Sequence, residues 1–208
     1  MAKNGAGWRN NQQTAAGITG GHIMMRSPVM FEKQMADVLL AFPELVKLQR
    51  SKSPAFLQSV MDWIDQAEQL LQQNRHVKVA ELAGLKSRIL SPERAADFRG
   101  SLRKAQQEAA AGTLYELQRC LQHVHDELVV KSGPAREVVG QILAMVADSG
   151  VIRHSSSGTA QQLVEEIWQL VSNHEQLKPM VVGLKGKLAQ QDIQMLMIEE
   201  VRLEEFME

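Results

Sequence analysis

Four residues on one helix-period stretch have the types that hold metals: Glu116, Cys120, His123 and Glu127. Their 4-3-4 spacing puts them on one stripe of a helix, where carboxylate, thiolate and imidazole could line a metal site in a bundle core. Such a centre needs further ligands from facing helices, and the apolar segments 54–73, 134–149 and 159–176 offer none at matching spacing. The stripe is therefore expected to be a polar flank with a buried cysteine, holding no metal and no cofactor. Cys120 sits mid-helix, away from the helix N-terminus or neighbouring cation that would activate a thiol. G-x-S-x-G, H-E-x-x-H and phosphate-loop patterns do not occur; Gly186-Lys187 lacks both the upstream glycine and the following Ser or Thr. His22, His76, His154 and His174 stand singly, and His174 near a helix C-terminus suits a dipole contact. These residues predict a protein that is not an enzyme and has no evident small-molecule substrate.

Charge is distributed more tellingly. Residues 74–104 carry Arg75, Lys78, Lys86, Arg88, Arg94, Arg99, Arg103 and Lys104 against Glu81, Glu93 and Asp97, a net of +5. Residues 189–208 carry Asp192, Glu199, Glu200, Glu204, Glu205 and Glu208 against Arg202, a net of -5. Segregation of this kind marks either a basic nucleic-acid face or complementary segments that pair. With a whole-chain charge of -1, the expectation is pairing, within the fold or across a symmetric interface. The alternative is nucleic-acid binding through Arg88, Arg94, Arg99, Arg103 and Lys104 together with the N-terminal tail, with Arg99 and Arg103 sharing a face of one helix. Few aromatics accompany these residues, which disfavours single-strand stacking.

Within the basic stretch, Val79-Ala80-Glu81-Leu82-Ala83-Gly84-Leu85-Lys86-Ser87 resembles the first helix and turn of helix-turn-helix repressors. The resemblance covers nine residues and implies a DNA-reading helix from Lys86 onward. Ser91-Pro92 interrupts that second helix, since proline disrupts a helix interior. The segment then reads as an amphipathic helix ending at Gly84.

The elements that would position these groups are all helical. The six prolines, Pro28, Pro43, Pro54, Pro92, Pro134 and Pro179, are each expected at the start of a helix-period segment and none inside one. Helices are predicted over 28–41, 43–51, 54–73, 77–90, 92–131 (one helix, or two broken near Ala110-Ala111-Gly112), 134–149 and 159–176. A short element with Gly183 and Gly186 follows, then an acidic amphipathic helix over 192–207. Thr159 and Gln162 form a capping box. Leu114, Leu117, Leu121, Val124 and Leu128 are spaced 3-4-3-4, a seam expected to pack inside a bundle. Trp63 and Trp168 fall on apolar faces and are expected in the core.

Residues 1–26 have no apolar period and no acidic residue; they read as a disordered tail with an exposed Trp8. Residues 27–208 read as one all-α, bundle-like domain of about seven or eight helices, with a candidate sub-boundary in the 150–158 loop. One cysteine excludes an internal disulfide. Neither a membrane span nor a secretory leader is evident, so the expected location is cytoplasmic. The function expected is that of a helical interaction or scaffold protein binding another protein or itself.

Overall fold

The computed structural model describes residues 27–93, 99–153 and 159–207. The tail reading for 1–26, Trp8 and Arg94 lie outside the described residues. Among those described, the chain is all-α, with eight α-helices and a closing 3-10 turn. None of these helices is long and apolar enough to cross a membrane.

Helix α1 (Pro28–Leu40) begins where the Ser27 hydroxyl accepts from the Met30 N–H at 2.9 Å. Helix α2 (Phe42–Arg50) follows after Ala41, because Pro43 has no N–H with which to continue the α1 ladder. Helix α3 (Phe56–Gln73) buries Phe56, Val60, Trp63, Ile64, Ala67, Leu70 and Leu71. The Trp63 indole N–H donates to the Val38 carbonyl at 2.7 Å, so this core tryptophan also ties α3 to the last turn of α1. Helix α4 (Val79–Leu90) adds Leu82, Leu85 and Ile89.

Helices α2 and α3 end alike. Lys52 and Arg75 both have φ of 51°, and the next amide reaches back five residues, Ser53 to Leu48 at 3.0 Å and His76 to Leu71 at 2.9 Å. Glycine usually fills this left-handed position, since a Cβ there costs about 1–2 kcal/mol. Arg75→Gly should therefore raise stability by about 0.5–1 kcal/mol. Urea unfolding would check it; an unchanged midpoint would mean that the Arg75 side chain contributes as much as its backbone costs.

The largest departure from expectation is helix α5, which runs unbroken from Leu102 to Ser149, 48 residues or about 72 Å. It joins most of the two segments expected as 92–131 and 134–149, it does not break near Gly112, and it carries Pro134 in its interior. Pro92 starts no helix, and Pro54 stands two residues ahead of α3. Proline inside a helix costs about 3 kcal/mol, partly through the lost bond to the carbonyl four residues back. Here that carbonyl belongs to Val130, whose residue is 76% exposed, and Pro134 itself is exposed, so water can replace the bond. Ser132 and Ala135 on either side are buried. Packing on both flanks thus holds a turn that local propensity would break.

Two hydrophobic cores are strung along α5. The first uses the predicted seam of Leu114, Leu117, Leu121, Val124 and Leu128 against α1, α3 and α4. The second gathers Val139, Ile142 and Val146 with helices α6 (Ala160–Asn173), α7 (Lys178–Lys185) and α8 (Gln190–Glu200). Trp168 is buried in this second core, and the Thr159–Gln162 capping box heads α6. Pro179 lies in the first turn of α7. The cores divide on α5 between Leu128 and Ala135. Helix α1 spans the division, giving Val29 to the second core and Phe31, Met35 and Val38 to the first. The acidic helix expected over 192–207 stops at Glu200; a 3-10 turn, Leu203–Phe206, follows because Phe206 folds into the second core.

Candidate functional site

The metal-type stripe does not converge. Glu116 takes Arg88 at 2.7 Å, which holds the Glu116 carboxyl below its usual range. Glu127 lies between His123 at 3.0 Å and His76 at 3.5 Å. Among the described residues no three His, Cys, Asp or Glu side chains group as a metal site. Burial, followed by the Glu81 charge, pushes the Cys120 thiol up to about 11, so it is protonated at neutral pH and a poor nucleophile. Folded protein should therefore react slowly with iodoacetamide at about pH 8, near the ordinary thiol value, and rapidly in urea. Because the folded value is raised, stability linked to this thiol is complete below the unfolded thiol range and is lost as pH climbs toward about 11. Fast alkylation of the folded protein would contradict both statements.

The likeness to helix-turn-helix repressors fails in the backbone. Helix α4 runs straight through Gly84 to Leu90, so it does not end at Gly84 and no turn sets off a second helix. Leu82, Leu85 and Ile89 form one continuous buried stripe, and that stripe carries the helix past the glycine.

Nor, among the described residues, does an ion pair join the basic and acidic segments within one molecule. Lys78 binds Glu81 at 2.5 Å, Lys86 binds Asp65 at 2.6 Å and Glu68 at 2.7 Å, and Arg88 binds Glu116. The acidic end of α8 turns instead to α1 and the middle of α5, where Arg136 reaches Glu199 at 2.9 Å, Glu200 at 3.1 Å and Glu32 at 2.8 Å. Lys33 adds a longer pair to Glu199 at 3.6 Å. Burial opposes the Arg136 charge, yet the surrounding carboxylates raise its pKa above the ordinary guanidinium value. Arg136 was not singled out by the sequence pattern because its partners lie 63, 64 and 104 residues away.

What remains of the basic stretch is gathered at the start of α5. Arg99 precedes the helix, so it does not share a helical face with Arg103 as expected. Arg103 donates to the Pro54 carbonyl at 3.3 Å, which brings the exposed α2–α3 turn, with Arg50 and Lys52, alongside Arg103 and Lys104. Among the described residues Arg50, Lys52, Arg99 and Lys104 form no ion pair. Between the turn and α5 lies an open groove of about 470 Å³, rimmed by Lys52, Lys104, Gln49 and Glu108 with Phe56 and Ala111 in its floor. The Gln49 amide donates to the Ala111 carbonyl at 3.3 Å and closes one end. Arg50 and Lys52 escaped the sequence reading because they lie about fifty positions from Arg103 in the chain and join it only through the turn.

No family model, curated protein or solved structure matches this chain.

Proposed function

We propose that the chain is a non-enzymatic helical interaction protein whose binding surface is the basic end of the first core. The observation that supports this reading is a set of exposed cations, without carboxylate partners among the described residues, at a groove with an apolar floor. A cationic rim over apolar surface suits an acidic amphipathic protein segment, which offers both kinds of contact at once. A surface of this kind would be sensitive to charge reversal while leaving both cores intact. The test is capture by the immobilised chain, with nuclease-treated and untreated arms and a Lys52→Glu/Lys104→Glu control. Bound protein that survives nuclease and is lost in the control is the expected result; binding that vanishes with nuclease would overturn it.

A second reading, nucleic-acid binding, is favoured by the exposure of Arg99, Arg103 and Lys104. Each neutralised phosphate should contribute about -0.9 to the slope of log affinity against log salt. Duplex DNA or RNA binding with a slope of about -3 or steeper, abolished by Arg99→Glu/Arg103→Glu, would carry it. Glu108 on the rim and the apolar floor weigh against a polyanion at this groove.

A further inference from the structure

The charge segregation left unresolved within one molecule has a natural complement in a second one. Lys104 and Arg136 are 32 residues apart on the same continuous helix, about 48 Å, and the acidic C-terminal segment is anchored beside Arg136 and in the second core. The basic groove and that segment therefore face different surroundings at different ends of the molecule. Each is left open. Glu204 forms no ion pair among the described residues, and Glu205 has only the exposed Arg202 at 3.5 Å. Beside them Leu203 is 36% and Met207 50% exposed, although Phe206 between them is buried.

The two surfaces also match in pattern. The groove sets Glu108 with Lys52 and Lys104, over a floor of Phe56 and Ala111. The segment sets Arg202 among Glu204 and Glu205, with Leu203 and Met207 for the apolar floor. We infer that the groove at the start of α5 binds the C-terminal segment, Arg202 to Met207, of a second copy of this chain. This rests on the interaction reading above and specifies the partner. The contact is heterologous: it uses the groove of one copy and the segment of the other, leaving one groove and one segment free on the pair, so association continues into chains or closes as a ring. It is not the symmetric interface expected from the sequence.

Sedimentation velocity of the full chain tests this. At about 0.01 M salt, where the Debye length is about 30 Å, mass should grow with concentration beyond the dimer; at about 1 M salt, where it is about 3 Å, the monomer should dominate. Lys52→Glu/Lys104→Glu and Glu204→Lys/Glu205→Lys should each weaken association about tenfold or more, since reversal replaces attractions by repulsions. All four positions are exposed, and an unchanged thermal midpoint confirms each variant's fold. An equimolar mixture of the two variants should associate again, because opposite signs are restored across copies. A monomer at every salt and concentration, or association indifferent to both variants, would overturn the inference. If the chain is monomeric while nuclease-resistant capture persists and is lost in the Lys52→Glu/Lys104→Glu variant, this inference fails and the interaction reading stands. If the chain associates as inferred but captures no other protein, the reading narrows to self-association.

Discussion

Arg136→Ala is expected to lower stability by about 3 kcal/mol, in the range for removing one partner of a buried ion pair. The arginine is the only cation bonded to Glu32 among the described residues, and Glu32 is 8% exposed. After truncation Glu32 keeps one bond, from the Ser132 hydroxyl at 2.6 Å, and its remaining charge is left with little compensation. The loss falls where the two cores meet, beside Pro134. Single-tryptophan variants would separate the cores, with Trp63 reporting the first and Trp168 the second. Their urea transitions should coincide in the parent chain and separate in Arg136→Ala. A loss below about 0.5 kcal/mol, the scale of an exposed pair, would show that the cluster is a surface feature and that α1 and α5 join the cores without it.

Leu121→Ala should cost about 3–5 kcal/mol. Leu121 is fully buried at the centre of the α5 seam, and the surrounding side chains come from α1, α3 and α4. Three separate helices cannot all move inward to fill the gap, so most of the cavity should persist. Val130→Ala, on the exposed side of the same helix, is the control and should change stability by less than about 0.5 kcal/mol. Equal effects at the two positions would mean that the helix is rotated from the face described.

What could be read in the sequence was local. The seam from Leu114 to Leu128 and the Thr159–Gln162 capping box depend on spacing within a few turns, and both are found as written. Trp63 and Trp168 lie in the cores because their apolar stripes are complete within their own helices. Pro134 was misread for the same reason: its local penalty is real, but burial of Ser132 and Ala135 on either side sustains the helix. The groove and the Arg136 cluster depend on contacts between residues distant in the chain, such as Arg103 with Pro54, 49 positions apart. Charge counts identified segments with an excess, yet three basic residues of 74–104, Lys78, Lys86 and Arg88, are neutralised by neighbours on α4, α3 and α5. Only geometry separates the spent cations from those still open at the start of α5.

Amide hydrogen exchange of the full chain, compared between dilute and concentrated solution, tests most directly whether this basic end is the contact surface. Association through it predicts slower exchange with rising concentration within 49–56 and 101–111 on one surface and 201–207 on the other. It also predicts return to the dilute rates at about 1 M salt, where surface charges are screened. Concentration-dependent protection confined to α6 and α7, or unchanged rates in all three segments while the chain is associated, would contradict it.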